Sequence, residues 1–298
     1  MPSTPHILLL GATGQIGHAL REPLSTLGVV TAATRDDADL TDEAALRTLV
    51  RTTAPDVIVN AAAYTAVDQA EDEPERAQAI NGTAPGLLAE ASSRQNAWLV
   101  HYSTDYVFDG TKRTPYTESD PAAPLGVYGR TKRAGEGAIA NSDAAHLILR
   151  TSWVYSLRRS NFLRTMLRLA DDHDTISVVD DQVGCPTWAG WIAQATTNIL
   201  ATALQRDDPA SDSGIYHLSA SGSTSWYGFA RALFDVFDRD VAVEPISTSE
   251  YPTPAPRPAY SVLDTGRVQQ RFGIDIPSWE HQLQECYRRA KTASVSLD

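Results

Sequence analysis

A short apolar run, His6–Leu10, ends in Gly11-Ala12-Thr13-Gly14-Gln15-Ile16-Gly17, and an apolar stripe at Ala19, Leu20 and Leu24 continues beyond it. Strand, glycine turn and helix in that order restrict the fold more than any other stretch of the chain. They describe the first βα unit of a doubly wound parallel sheet. Gly11 and Gly14 allow a tight turn and close backbone approach to a pyrophosphate, while Gly17 lets the helix pack closely on the strand. The helix N-terminus, with Gln15 and Ile16 in its first turn, then faces the phosphates with unpaired N–H groups. The competing interpretation, a purely structural glycine turn, leaves this ordered context without a use.

The alternation continues. Val29–Ala33 reads as a second strand, followed by Thr34-Arg35-Asp36-Asp37. An acid at the end of this strand grips the ribose of NAD, whereas an Arg nearby accommodates the extra phosphate of NADP, so Arg35 favours NADPH and leaves NADH possible. Asp39-Leu40-Thr41-Asp42 starts a helix whose buried face is Ala45, Leu46, Leu49 and Val50. Val57–Ala63 is an apolar strand ending in small residues, a surface on which a cofactor can lie. Glu71–Glu75 opens a helix expected to run through Leu87-Leu88, and its acids read as a solvated helix start, not a metal site. Trp98–Ser103 is the fourth strand and His146–Arg150 the next. Past Trp153 the alternation loosens into helices at 161–170, 188–204, 226–237 and 279–290, and a proline-rich loop, Tyr251–Pro258. We expect an α/β protein: a Rossmann-type doubly wound parallel sheet with a smaller α/β substrate-binding domain. The dinucleotide domain takes residues 1–153 with return segments at about 187–220, and the substrate domain 154–186 and 221–298.

Composition limits the partners. The 298 residues carry a formal charge of −12, which disfavours a nucleic acid held by general attraction. No apolar run reaches the roughly 20 residues that span a bilayer, and the N-terminus shows no basic leader, so a cytoplasmic protein is expected. Two cysteines, Cys185 and Cys286, are too few for a disulfide framework and lack metal-ligand spacing.

The chemistry is expected at the carboxyl ends of the strands. The fourth strand delivers Ser103-Thr104-Asp105-Tyr106 to that edge, where open parallel sheets bind ligands. Tyr128-Gly129-Arg130-Thr131-Lys132 follows on a helix, and a spacing of four sets Tyr128 and Lys132 on one helical face. A phenol with a pKa near ~10 is a poor proton donor at neutrality unless a cation favours the phenolate. With 22 Arg and only 3 Lys in the chain, a Lys at 132 suggests that Arg would not serve there.

Gly11–Gly17, Asn60-Ala61-Ala62-Ala63, Ser103–Gly110, Tyr128–Lys132 and Arg150–Tyr155 together resemble an extended short-chain dehydrogenase/reductase. Asp39-Leu40, the Asn161-Phe162 helix, the Asp181–Thr187 turn and Tyr251–Pro258 narrow the resemblance to the dTDP-4-dehydrorhamnose reductases. The resemblance implies hydride transfer from NAD(P)H to the C4 ketone of a nucleotide-linked 4-dehydro-L-rhamnose. Tyr128 would donate the proton, Lys132 would hold the cofactor ribose and lower the tyrosine pKa, and Thr104 would position the ketone oxygen. Asp39, Leu40, Ala62, Ala63 and Tyr64 would contact the cofactor; Asp105, Tyr106 and Trp153 would face the sugar. Arg257 is a candidate diphosphate contact, since a planar guanidinium matches phosphate oxygens. Some relatives dimerise through Mg²⁺ held by glutamates; this chain has Ala19 and Gly190 at the corresponding places, so no metal is expected, and a monomer or weak homodimer. Two alternatives stay open: a nucleotide-sugar epimerase or dehydratase on the same scaffold, and a non-catalytic cofactor-binding regulatory subunit.

Overall fold

In the computed structural model, residues 4–206 and 208–292 are described. The longer strands are β1 (His6–Leu10), β2 (Val29–Ala33), β3 (Val57–Asn60), β4 (Trp98–Thr104), β5 (His146–Thr151), β6 (Thr175–Val179), β7 (Gly214–His217) and β8 (Ala242–Ile246). Six of them form one parallel sheet in the order β7-β5-β4-β3-β1-β2. The chain winds outward from β1 in one direction, then returns past it in the other. The crevice at that reversal, between the ends of β1 and β3, is where a doubly wound sheet binds its ligand.

The helices are α1 (Gln15–Ser25), α2 (Glu43–Thr53), α3 (Ala84–Gln95), α4 (Val127–Ala140), α5 (Phe162–Asp172), α6 (Ala189–Leu204), α7 (Trp226–Phe237), α8 (Gly266–Phe272) and α9 (Trp279–Thr292). Successive strand residues point to opposite faces of the sheet. Ile7, Leu9, Val57, Val59, Val100 and Leu149 meet Leu20 and Leu24 of α1 and Ile199 and Leu200 of α6. Leu8, Leu10, Ile58, Leu99 and Ile148 meet Leu46 of α2, Leu88 of α3 and Ile139 of α4. Each such fully buried aliphatic side chain contributes roughly 2 kcal/mol, so covering both faces outweighs the lost chain freedom.

A second core lies beyond the sheet. Tyr155, Leu163, Phe229, Leu233, Trp279 and Leu283 pack together with Cys185 and Cys286, which are both buried free thiols. Among the described residues its longer strands are β6 and β8, paired in parallel, so side chains from α5, α7 and α9 supply most of the packing.

Two elements differ from the sequence expectation. The third strand stops at Asn60, and Ala61–Ala63 continues outside the ladder. The helix expected through Leu88 is broken into Gln69–Asp72, Pro74–Gln78, a wide turn at Ala79–Thr83 and then α3. Prolines cause this, because Pro85 has no N–H to give the Asn81 carbonyl. The Ala84 N–H reaches back to Ala79 O instead, a π-type turn. Gly135 of α4 packs against the Asn81 carbonyl, where a Cβ would lie 2.2 Å from the oxygen.

Candidate active site

The glycine turn requires glycine for steric reasons that can be measured. Gly11 has φ +73°, and a Cβ there would sit 2.6 Å from Ala62 N. A Cβ on Gly17 would come within 2.1 Å of Gly11 O, so α1 lies directly on the turn. Gly14 is the N-cap of α1 and gives its first-turn amides no side-chain acceptor. Those amides, at the end of a turn packed too closely for a Cβ at Gly11 or Gly17, suit the binding of a pyrophosphate. Ile16 anchors the helix to the first core. Gln15 Oε1 accepts hydrogen bonds from Ser156 Oγ at 2.8 Å and Asn161 Nδ2 at 2.9 Å, joining the turn to the second core.

Around the glycine turn, Leu40 packs near Tyr64, Val127 and Tyr128, and the Tyr64 N–H donates to Asn81 Oδ1 at 2.9 Å. Arg35 is exposed and its guanidinium lies 3.8 Å from Asp39. Asp39 accepts both the N–H and the hydroxyl of Thr41, which hold its carboxyl below the ordinary value.

The second group gathers at the carboxyl end of β4. Thr104 Oγ1 donates to Asp105 Oδ1 at 3.1 Å, and the Tyr106 N–H donates to Thr104 Oγ1 at 3.2 Å. Ser152 Oγ donates to the other Asp105 oxygen at 3.1 Å, and Ser261 adds a further hydrogen bond. Burial still dominates and pushes the Asp105 carboxyl up to about 6. Tyr128 is hydrogen-bonded to Thr104, and its ring meets Tyr106 edge-on at 5.9 Å. Burial raises the phenol to about 12, with Thr104 opposing and the Asp105 charge adding. Tyr128 is therefore a fully protonated donor at neutral pH.

Lys132 is 2 % exposed and donates to Tyr102 O at 2.6 Å, with His101 Nε2 at 3.3 Å. Burial brings its ammonium down to about 8, against the opposing charge of Glu136. The sequence expectation was that Lys132 lowers the Tyr128 pKa. In this geometry burial, Thr104 and Asp105 act on the phenol, and Lys132 is turned toward the sheet.

Trp153 follows β5 with φ +44°, a left-handed conformation that is costly for a bulky residue. Its ring lies on Trp226 at 3.5 Å and 3°, and a Cβ on Gly184 would come within 2.3 Å of it. The structure places Arg257 at the mouth, bonded through both terminal nitrogens to Asp68 at 2.6 and 2.8 Å. Its neighbours Pro256 and Pro258 close a narrow hollow beside Tyr128 that Val67, Tyr106 and Leu125 complete. Thus Thr104, Asp105, Tyr106 and Tyr128 come together, Trp153 and Arg257 flank them, and Gly11–Gly17 lies across Ala61–Ala63.

Sequence reasoning gave no role to His101, Asp68 or Trp226, named Asn60 only within a motif, and assigned Gln15 to the cofactor without its bonds to Ser156 and Asn161. His101 alone carried a signal: it is an imidazole inside a strand otherwise read as apolar, two residues before Ser103. Ala19 packs on the first core, and Gly190 has no room for a side chain beside the Trp188 ring. Among the described residues no three His, Cys, Asp or Glu gather to hold a metal, and no helix is long and apolar enough to cross a membrane.

The chain matches the family model described as the RmlD substrate binding domain over residues 5–292. It is 47 % identical to a dTDP-4-dehydrorhamnose reductase of Burkholderia thailandensis, over 95 % of this chain and 98 % of that protein. It is 45 % identical to the Escherichia coli K12 protein of the same name, over 92 % and 94 %. The crystal structure of a dTDP-4-dehydrorhamnose reductase from Bacillus anthracis in complex with NADP superposes with a TM-score of 0.89 at 34 % identity, covering 96 % of this chain and 100 % of that one.

Proposed function

The chain belongs to the RmlD family, and from that premise we propose that it reduces the C4 ketone of dTDP-4-dehydro-β-L-rhamnose to dTDP-β-L-rhamnose, the last step of activated L-rhamnose biosynthesis. The observation that carries the reading is the Tyr128 phenol, partly buried, hydrogen-bonded to Thr104 and held protonated at the carboxyl edge of the sheet. The two curated relatives reported above share the name of a reductase, which supports this reading over an epimerase or dehydratase.

When bound at the glycine turn, a reduced nicotinamide cofactor supplies the hydride. Gly11, Gly14, Gln15, Ile16 and Gly17 would hold its pyrophosphate, with Asp39, Leu40, Ala62, Ala63 and Tyr64 alongside. Arg35, engaged only by a long exposed ion pair, is available to a 2′-phosphate, so NADPH is the preferred form and NADH is also used. Thr104 positions the ketone oxygen, and Tyr128 gives its proton to the alkoxide oxygen, a far stronger base than phenolate. Lys132 holds the ribose. With no ketone present the Thr104 hydroxyl donates to Asp105, and it turns from that carboxylate to donate to the ketone oxygen, which can only accept. Tyr106 and Trp153 contact the sugar.

Arg257 serves the diphosphate by sharing or leaving Asp68, and a guanidinium offers five N–H donors for that exchange. Residues 1–153 with 187–220 carry the cofactor, and 154–186 with 221–298 the nucleotide sugar; the two cores support this in the main, although Val268 and Phe272 pack on the first core and Trp188 and Ala220 on the second. The protein acts in the cytoplasm as a monomer or weak homodimer without a structural metal, and its charge of −12 suits neither nucleic acid nor an anionic membrane surface. The test is a reductase assay with dTDP-4-dehydro-L-rhamnose and each reduced cofactor. One cofactor oxidised per sugar reduced supports the reading, and isomerised or dehydrated sugar with no cofactor consumed sinks it.

A further inference from the structure

Behind Lys132 lies a polar chain that the reaction above does not use. Asn60 Oδ1 accepts the Ala62 N–H at 3.2 Å, which turns the Asn60 NH2 toward His101 Nδ1 at 3.1 Å. A side-chain NH2 only donates, so Nδ1 is the acceptor, and a neutral ring then carries its proton on Nε2. Burial and the neighbouring Lys132 keep the ring neutral by pushing its pKa well below the ordinary value. Nε2 faces Lys132 Nζ at 3.3 Å. An Nε2–H in that position is matched by an amine, which has a lone pair, and opposed by an ammonium, which has none. The amine still donates to Tyr102 O.

Charging Lys132 reverses each partner. The ammonium donates to Nε2, the ring proton sits on Nδ1, and the Asn60 amide turns over so that Oδ1 accepts it. The turned NH2 then faces the Ala62 N–H, donor against donor, and the Ala62 N–H needs a new acceptor. The net change is one proton taken from solvent, with Lys132 going from amine to ammonium and the His101 proton moving from Nε2 to Nδ1. Few other charges bear on this unit. Glu136 acts on Lys132 from α4, but Arg150 of β5 binds both its oxygens at 2.8 and 2.7 Å, and Arg133 approaches at 3.3 Å. The charged group acting on His101 is Lys132 itself.

We propose that Asn60 and His101 form a buried switch that couples the charge on Lys132 to the partner of the Ala62 N–H, so that seating a dinucleotide along Ala61–Ala63 converts Lys132 from amine to ammonium. His101 and Asn60 are then positioning residues. The inference rests on the cofactor assignment above, and it ties the charge on Lys132 to cofactor occupancy at the glycine turn.

The direct test is the histidine tautomer, read from ¹⁵N–¹H correlation spectra of ¹⁵N-histidine-labelled protein at about pH 8.5, above the lowered Lys132 pKa. His101→Gln assigns the signal; should that variant not fold, the perturbation in Lys132→Met assigns it. The expected result is Nε2–H without cofactor and Nδ1–H with saturating NADP⁺. An unchanged tautomer, with binding proven by tryptophan quenching, overturns the switch and leaves the cofactor assignment standing. Failure of both NADP⁺ and NAD⁺ to bind overturns the cofactor assignment, and the switch with it. Calorimetry in buffers of different ionisation heat gives an independent reading. Wild type should take up about three-quarters of a proton per site at that pH, since a Lys132 titrating near 8 is already about one-quarter charged there, and Asn60→Leu several-fold less. Equal uptake in the two proteins also overturns the switch.

Discussion

The sheet half and the aromatic half of the molecule meet at Trp153, and different physics holds each together. In the sheet half, backbone geometry decides: parallel ladders, alternating faces, and a glycine turn with no room for a Cβ at Gly11 or Gly17. In the aromatic half, the ladders beyond β6 and β8 are two residues long, and large side chains supply the order. Trp153 lies on Trp226, which packs against Phe162, which packs against Phe229. The comparison teaches a division of labour. In the function proposed above, the rigid half holds the groups that move hydride and proton, and the side-chain half selects what is presented to them.

Tyr128→Phe should produce the largest effect. The ring keeps its edge contact with Tyr106 and its burial, so stability should move by less than ~1 kcal/mol, while loss of the proton donor lowers kcat by ~10³-fold, about 4 kcal/mol. Cofactor affinity should hold within about twofold. Steady-state kinetics beside a fluorescence titration checks both, and unchanged turnover would remove Tyr128 from the chemistry.

Gly17→Ala breaks the comparison on the backbone side. A methyl 2.1 Å from Gly11 O has only backbone to push against, so α1 must shift away from the turn. We expect about 3 kcal/mol of lost stability and a cofactor affinity lowered at least tenfold, measured by denaturant unfolding and direct titration. Trp226→Leu breaks it on the side-chain side. Losing the stack frees Trp153 from its left-handed conformation, at a cost of about 2 kcal/mol. Here KM for the sugar should rise several-fold while cofactor affinity stays constant. If both variants lowered cofactor affinity alike, the two halves would not be separable in this way.

The same division explains what was legible in the sequence. Gly11–Gly17, the strand end at Ala33, the fourth strand to within one residue of its end at Thr104, and the Tyr128–Lys132 spacing follow from local rules of turn, period and register, which one sequence carries. The helix break at Pro85 was also local, but the apolar pattern through Leu88 concealed it. The stacking of Trp153 on Trp226, the Arg257–Asp68 pair and the His101–Lys132 contact join residues 73, 189 and 31 positions apart. No periodicity encodes such pairs, so the groups that hold Lys132 and cover Tyr128 emerged only once the chain was folded.

The smallest effect tests the seam between the halves. Asp105 follows β4, and Ser152, just after β5, and Ser261, far later in the chain, both hydrogen-bond it. Its carboxyl is raised to about 6 by burial, from an ordinary value of 3.8, so between those values the folded protein binds a proton that the unfolded chain does not. By linkage, stability then rises as pH falls through 6 and levels off near 4. From pH 7 to pH 5 the gain is about 1 kcal/mol, and it is absent from Asp105→Asn, which has no titrating group there. The difference in unfolding free energy between the two proteins should therefore shift toward wild type across that interval. A flat difference would mean that water reaches Asp105 and that the seam is open where the sugar enters.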